Sequence, residues 1–239
     1  MSARFQSKVA LVAGGTGGLG RAVSLAFLEE GAKVVVTYRK PDEFDAVKRA
    51  AGANASSLAG HQVDVTDEAA VSQLTGRILS EHGRVDVLVN TVGAYAGGMK
   101  FWETETKVFD QMLALNVRSG FILSRAVVPA MLKQRRGAII NVASKAAVDH
   151  AAETAAYSAS KAAAVAMMDS LAADLNGTGV RVNSILPSII DTEANRKAMP
   201  GADFAKWPKP EQIARVILFL SSDEAILIHG AAVPVYGNA

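Results

Sequence analysis

Short apolar runs alternate with longer amphipathic segments along this 239-residue chain, and this alternation narrows the choice of architecture. Seven runs have strand character, at residues 9–13, 33–38, 62–65, 85–91, 138–143, 180–186 and 232–236. Five segments between them have helical periodicity, at residues 19–30, 68–82, 106–135, 155–175 and 210–222. Several runs are apolar on both faces, as strands of a buried parallel sheet are. The pattern predicts one α/β domain over residues 1–239, with helices on both faces of a doubly wound parallel sheet.

Residues 188–208 interrupt the alternation with a long segment of mixed polarity that contains Pro200, Gly201 and Pro208. A long insertion at the carboxyl end of a strand is a typical position for a substrate lid. An ordinary surface excursion is an equally good interpretation of the segment taken alone.

The composition argues against several classes of function. The net charge is only +2 and the basic residues are spread along the chain, so neither nucleic acid nor a membrane surface is an expected partner. No apolar run approaches the roughly 20 residues that span a bilayer. The chain has no cysteine and its four histidines lack metal-ligand spacing, so no disulfide and no metal site is expected. The first residues lead directly into a glycine-rich loop without a secretory signal pattern, which predicts a cytoplasmic protein.

A glycine-rich loop follows the first predicted strand and opens the first predicted helix. Its spacing, with Gly14, Gly18 and Gly20, is G-x-x-x-G-x-G. Glycines allow the backbone to approach a pyrophosphate closely, and the helix N-terminus offers free N–H groups and a positive dipole end. Such a loop alone is weak evidence, but its position between strand and helix favours dinucleotide binding over a purely structural turn. The predicted contacts are Gly14, Thr16, Gly17, Gly18, Leu19 and Gly20.

The second predicted strand ends in Tyr38, Arg39 and Lys40. NAD-preferring sites usually carry an acidic residue here, which accepts a hydrogen bond from the ribose 2′-hydroxyl. Arg39 can instead pair with a 2′-phosphate, and Lys40 adds positive charge. The alternative is a solvated basic turn. The residues favour NADP(H) over NAD(H) as the cofactor.

Tyr157 and Lys161 lie four residues apart in an alanine-rich helical stretch, so they share one helix face. A fixed ammonium at Lys161, together with the positive charge of an oxidised nicotinamide, favours the tyrosinate and lowers the pKa of the phenol, which then exchanges a proton with a carbonyl oxygen. Ser144 ends a predicted strand at the edge where open α/β sheets bind ligands, and its hydroxyl can orient that oxygen. A lone Tyr-x-x-x-Lys pair is common by chance. The addition of Ser144 makes it a candidate catalytic set.

In combination these motifs resemble the short-chain dehydrogenase/reductase family over essentially the whole chain. The resemblance rests on the glycine loop, Asp64, the sequence AsnThrValGly at 90–93, Asn116, Ser144, Tyr157 and Lys161. It implies a Rossmann-type sheet of seven strands in the order 3-2-1-4-5-6-7. It also implies cofactor contacts by Asp64, Val65, Asn90, Gly93, Tyr157, Lys161, Pro187, Ile190 and Thr192. In the same pattern Asn116 holds a water that continues a proton relay from Lys161.

Two positions depart from the family pattern. Residues 90–93 replace the usual Asn-Asn-Ala-Gly, and Ser188 stands where glycine normally follows the proline. Residues 94–98 and 190–207 are similar to quinonoid dihydropteridine reductases, which use NADH and lack the serine. Because this chain has Arg39 and Ser144, pterin reduction is kept as an alternative activity.

The expected function is transfer of a hydride between NADP(H) and a small to medium carbonyl or alcohol substrate, with Tyr157 as general acid and base. The remaining alternative is a non-catalytic module that senses NADP(H). The predicted substrate contacts are Tyr95, Ser144, His150, Tyr157 and Trp207. The helices at 106–135 and 155–175 are apolar around much of their circumference, which predicts a homo-oligomer, a dimer or tetramer, paired through them.

Overall fold

A single parallel sheet of seven strands forms the centre of the computed structural model, which describes residues 4–238. The strands are β1 (Val9–Ala13), β2 (Lys33–Tyr38), β3 (Leu58–Gln62), β4 (Val87–Asn90), β5 (Gly137–Val142), β6 (Val180–Pro187) and β7 (Ala231–Val235). Their order is β3-β2-β1-β4-β5-β6-β7, and every neighbouring pair is parallel. The predicted doubly wound Rossmann-type sheet and its strand order are confirmed.

Helices cover both faces of this sheet. They are α1 (Gly18–Glu29), α2 (Pro41–Ala51), α3 (Glu68–His82), α4 (Thr106–Leu113), α5 (Ser119–Gln134), α6 (Ala155–Asp174), α7 (Glu193–Ala198) and α8 (Pro210–Ser221). One apolar core lies between the sheet and α1, α2 and α8, and a second lies between the sheet and α3, α5 and α6. The strands between these two cores are buried on both sides, which accounts for their apolar sequences.

Local sequence signals fix several helix ends. The Asp67 carboxylate accepts hydrogen bonds from the N–H groups of Ala69 and Ala70 and so caps α3. Pro210 occupies the first turn of α8, where its missing N–H costs nothing. These two boundaries agree with the sequence prediction.

Two elements at the β3 edge of the sheet differ from the prediction. β3 runs over Leu58–Gln62 instead of 62–65, because pairing with β2 sets its register from Leu58 opposite Val34. Its sequence, LeuAlaGlyHisGln, has one large apolar side chain and gives no strand pattern. Helix α2 was not predicted, since only Val47 and Ala51 of its side chains are buried.

The predicted helix at 106–135 contains a wide turn. A π-helical segment, Ala114–Arg118, joins α4 to α5. Such single π turns occur often at functional sites, because the extra residue redirects a side chain. Here the segment contains Asn116, which is buried.

No helix within residues 4–238 combines the length and the apolar character that crossing a membrane requires. Across the same residues, no group of three or more His, Cys, Asp or Glu side chains is arranged to hold a metal ion.

Candidate active site

The glycine-rich loop lies at the carboxyl end of β1, and several of its positions require glycine because of their backbone conformation or a close contact. Gly14 has a φ of +71°, a conformation that side chains with a Cβ rarely adopt. A Cβ on Gly20 would lie 2.1 Å from the Gly14 carbonyl oxygen. Gly18 begins α1, so the free N–H groups of that helix face the loop. This shape fits the pyrophosphate of a dinucleotide.

Two threonines fix the glycine-rich loop to its neighbours. The N–H of Gly14 donates to the Thr37 hydroxyl at 2.9 Å, which ties the loop to β2. The Thr91 hydroxyl donates to the carbonyl of Ala13 at 2.7 Å, which ties it to the segment after β4. The Thr in AsnThrValGly, a departure from the family pattern, therefore has a structural role in this chain.

The 188–208 segment lies against the same loop. A Cβ on Gly18 would lie 2.7 Å from Cγ2 of Thr192, so glycine is needed for this approach. The ends of the segment are joined, since the N–H of Asp191 donates to the Pro208 carbonyl at 3.0 Å. Thr192, predicted to contact the cofactor, is thereby placed beside the glycine-rich loop.

Ser144, Tyr157 and Lys161 come together at the carboxyl end of β5. Ser144 follows β5 and accepts a hydrogen bond from the N–H of Ala146. Tyr157 and Lys161 lie on the first turns of α6, with Lys161 Nζ 5.9 Å from the centre of the Tyr157 ring. The Lys161 ammonium also donates to the carbonyl of Val142, the last residue of β5, at 3.1 Å. Because Ser144 also forms a hydrogen bond with Tyr157, these three of the four residues predicted to be catalytic occupy one site.

Burial is the largest influence on the ionisation of this cluster. Burial raises the pKa of Tyr157 above its ordinary value; the neighbouring Ser144 hydroxyl lowers it, and Tyr95 adds to the rise. In the polypeptide itself, desolvation of the phenolate is the largest effect, so the lowered pKa stays a prediction for the site with an oxidised nicotinamide bound. Burial also lowers the pKa of Lys161 to about 8. At Tyr157, the hydrogen bond with Ser144 works in the opposite direction to burial and lowers the pKa.

Asn116 fixes the backbone beside Lys161. Its amide accepts from the N–H of Ala94 at 2.9 Å and donates to the carbonyl of Ala94 at 3.0 Å. The same amide donates to the Ser160 hydroxyl at 2.9 Å. A Cβ on Gly93 would lie 2.8 Å from Asn116 Oδ1 and 3.1 Å from Lys161 Nζ, so Gly93 lets the loop pass close over both. The Asn116 side chain serves here as a brace between the loop and α6.

The side chains of two residues predicted to contact the cofactor form hydrogen bonds within the protein. Asn90 is 2% exposed; its amide donates to Asn141 Oδ1 at 3.0 Å and accepts from the N–H of Val92 at 3.2 Å. Asp64 accepts from the N–H and the hydroxyl of Thr66 at 2.9 and 2.7 Å, and these bonds lower its pKa. Both side chains hold the loops that follow β4 and β3, respectively.

The basic turn after β2 is exposed at the adenosine end of the predicted cofactor site. Tyr38 stacks on Phe44 with ring centres 5.0 Å apart, and Arg39 and Lys40 are exposed. Arg39 lies close enough to Asp64 to contribute to the lowering of its pKa. Lys40 Nζ lies 3.4 Å from a carboxylate oxygen of Glu43.

The residues predicted to contact the substrate differ in their position relative to the candidate site. The Tyr95 ring meets the Tyr157 ring edge to face, with centres 4.9 Å apart, so Tyr95 borders the candidate site. His150 is exposed, and its ring bonds to the carbonyl of Ala147 within its own loop. Trp207 is 7% exposed and packs on Phe204, which favours an anchoring role for it.

Sequence reasoning missed several residues of this region. Thr37 and Thr91 hold the glycine-rich loop, and Glu43 contacts it through Thr16. Lys100 forms an ion pair of 2.6 Å with Glu153, a residue that the sequence placed at the pocket, and so joins the loop after β4 to the loop before α6. The threonines stand beside strand ends in the sequence, a position that would have identified them; the other contacts depend on tertiary structure.

The comparisons with known proteins agree with this geometry. The family model described as short chain dehydrogenase matches residues 8–203. The chain belongs to this short-chain dehydrogenase family. Its relatives by sequence include the 3-oxoacyl-[acyl-carrier-protein] reductase FabG of Thermotoga maritima, 31% identical over 98% of both chains. They also include the D-threitol dehydrogenase of Mycolicibacterium smegmatis, 34% identical over 98% of this chain and 94% of that one.

Solved structures of similar proteins extend the match to the whole fold. A structure of ElxO with NADP bound has a TM-score of 0.91 and 26% identity, covering 96% of this chain and 97% of that one. A structure of gox2181 has a TM-score of 0.91 and 28% identity, covering 99% and 96%. This short-chain dehydrogenase is therefore an oxidoreductase of the Rossmann-fold type.

Proposed function

We propose that this short-chain dehydrogenase transfers a hydride between NADP(H) and a small to medium carbonyl or alcohol substrate. The convergence of Ser144, Tyr157 and Lys161 at the carboxyl edge of the sheet carries this proposal. FabG and D-threitol dehydrogenase, named as a reductase and a dehydrogenase, are consistent with chemistry in either direction.

The proposed cofactor fits the residues that are present. The backbone of Gly14–Gly20, in which Gly15, Gly18 and Gly20 leave no room for a Cβ, would hold the pyrophosphate, and Arg39 and Lys40 would hold a 2′-phosphate. Thr192, beside the glycine-rich loop, would hold the nicotinamide end together with Pro187 and Ile190. When bound, the cofactor supplies or accepts the hydride. In its oxidised form it also places a positive charge in the site.

Each catalytic side chain has a separate proposed task. Tyr157 donates a proton to the carbonyl oxygen in reduction and removes it in oxidation. In the polypeptide the Ser144 hydroxyl lowers the pKa of the phenol; with substrate bound it would donate its single proton to the substrate oxygen and orient it. Lys161, buried beside both, favours the phenolate when protonated and holds the nicotinamide ribose. Tyr95 borders the substrate, and residues 188–208 form the lid over it.

The proposed activity is tested by following NADPH oxidation with a panel of carbonyl compounds. The panel includes a β-ketoacyl thioester, a hydroxyketone, an aromatic aldehyde and quinonoid dihydropterin. We expect turnover of at least one of the first three compounds. Reduction of the pterin alone would establish the pterin alternative. Tight NADPH binding without turnover of any member would instead indicate a sensing module.

The cofactor preference is tested at Arg39. Replacing Arg39 by Ala removes the bidentate partner of the proposed 2′-phosphate, so NADPH affinity should fall about tenfold or more while NADH affinity changes little. Isothermal titration calorimetry with both cofactors measures the effect. Arg49→Ala, at the exposed far end of α2, is the matched control. Equal NADPH affinity in Arg39→Ala and the parent protein would refute the 2′-phosphate assignment.

We also propose that two copies of the chain associate through α5 and α6. A groove of about 570 Å³ lies between these helices, lined by Phe121, Ser124, Arg125, Val128, Pro129, Met167, Met168, Ser170, Leu171 and Asp174. Phe121 is 51% exposed, which leaves a large apolar side chain open to a partner. Such a surface suits an isologous contact with a second copy.

The association is tested by the substitution Phe121→Asp. A buried charge at the contact should dissociate the oligomer, which light scattering after size-exclusion chromatography would detect as a lower molar mass. Phe101→Asp, at a 78% exposed position outside the groove, serves as the control. If both variants keep the parent molar mass, the groove is not the contact.

A further inference from the structure

We propose that Glu43 determines how strongly the cofactor site distinguishes a 2′-phosphate from a free 2′-hydroxyl. Sequence motifs do not point to this residue, since it lies in α2 and not at the end of β2. The inference rests on the proposed function, because it concerns the same adenosine end of the same site. Glu43 contributes a carboxylate to a pocket that is otherwise defined by Arg39 and Lys40.

Glu43 bridges the two halves of that pocket. One carboxylate oxygen accepts a hydrogen bond from the Thr16 hydroxyl at 3.1 Å, and Thr16 belongs to the glycine-rich loop. The other lies 3.4 Å from the ammonium of Lys40, in the basic turn after β2. The carboxylate thus lies between the element proposed to hold the pyrophosphate and the residues proposed to hold the 2′ position.

The contact with Thr16 is not a requirement of the helix. Glu43 is the third residue of α2, where its charge interacts favourably with the helix dipole. The N-cap of the helix, Lys40, makes no side-chain capping bond, so Glu43 is not part of a capping box. Asp42 provides the same dipole interaction one residue earlier. The bridging position of Glu43 is therefore additional to what helix α2 needs.

The charges in this pocket are nearly balanced. Lys40 is paired with Glu43, and Arg39 lies near Asp64. A 2′-phosphate dianion must compete with the Glu43 carboxylate for Lys40 and is repelled by it. A ribose 2′-hydroxyl can instead donate a hydrogen bond to the same carboxylate, as it does to the acidic residue of NAD sites. Glu43 therefore weakens the preference that Arg39 and Lys40 create for NADPH.

The substitution Glu43→Gln tests this role by binding alone. Removing the charge at nearly constant shape should tighten NADPH binding about threefold to tenfold and leave NADH binding equal or weaker, with a smaller effect at high salt. Isothermal titration calorimetry with each cofactor provides the affinities. Asp42→Asn is the matched control, since it removes one charge from the same helical turn and should change NADPH affinity less than twofold.

Two results would overturn the proposal: unchanged NADPH affinity in Glu43→Gln, or equal tightening in both variants, which would show a general charge effect. These outcomes are separable from failure of the proposed function, which the Arg39→Ala titration reports independently. Crystal structures of the unaltered protein with each cofactor cover the case in which Glu43→Gln does not fold. We expect Glu43 to bond the 2′-hydroxyl of NAD and to lose Lys40 to the 2′-phosphate of NADP. The same carboxylate position in both complexes, away from the ribose, would contradict the role.

Discussion

Replacing Tyr157 by Phe should lower kcat for carbonyl reduction by about 10³-fold or more, because the substitution removes the proposed proton donor while keeping the ring. The ring contact with Tyr95 does not need the hydroxyl, so the fold and cofactor affinity should persist. The measurement is the initial rate of NADPH oxidation with the best substrate of the panel, together with NADPH affinity by calorimetry.

Tyr236→Phe is the matched control for this loss. It removes a phenol hydroxyl from a ring that lies under Lys145 instead of Lys161, so kcat should stay within about twofold of the parent value. A Tyr157→Phe protein with the parent kcat would exclude Tyr157 as the general acid, although the family and the fold would stand.

Lys161→Met should lower activity and raise stability in the same protein. Lys161 is 5% exposed, and its ammonium donates a hydrogen bond to the carbonyl of Val142. Loss of the charge should reduce kcat by about 10²-fold or more, since the phenolate of Tyr157 loses a nearby cation. Burying that charge costs folding free energy, which a methionine of similar length avoids.

The pH dependence of stability follows from the lowered pKa of Lys161. Burial lowers that pKa from 10.5 to about 8, so between these values the unfolded chain binds a proton that the folded protein does not. The free energy of unfolding therefore rises with pH across this window, by about 3 kcal/mol for the full shift. Below pH 8 both states are protonated and the cost of the buried charge is largest.

Chemical denaturation of the parent and Lys161→Met at a series of pH values measures this effect. The methionine variant should be more stable below pH 8, and its advantage should shrink as the pH approaches 10.5. Lys133→Met, at an exposed position on α5, should show no such dependence on pH. An advantage that stays constant with pH would contradict the assigned titration of Lys161.

The parts of the site that depend on local chemistry were predictable from the sequence. A glycine-rich loop must follow a strand and open a helix to serve a phosphate, and Gly14–Gly20 does so. Tyr157 and Lys161 share a helix face because they are four residues apart, and Ser144 joins them because parallel strands end at one edge of the sheet. These relationships do not depend on how the surrounding side chains pack.

The parts that depend on pairing between distant segments were not predictable. β3 is an edge strand whose register is set by β2, and α2 buries only two side chains, so neither produces a clear periodic pattern. Because helix α2 was not predicted, the sequence offered no reason to place Glu43 near the cofactor site. The burial of Tyr157, which raises the pKa of its phenol, was also not predictable, because burial is a property of the folded protein and not of the spacing to Lys161.

Tyr157 is proposed to exchange a proton with the substrate oxygen, while the adjacent Ser144 and Lys161 control the ionisation of its phenol. A spectrophotometric pH titration of tyrosinate formation, with Tyr157→Phe subtracted as the reference, tests it most directly. Without cofactor, Tyr157 should titrate above the ordinary tyrosine pKa of about 10, because it is buried. With saturating NADP⁺, whose positive charge favours the phenolate, we expect its pKa to fall below about 10. A Tyr157 pKa that stays above this value with and without NADP⁺ would contradict the proposed proton transfer.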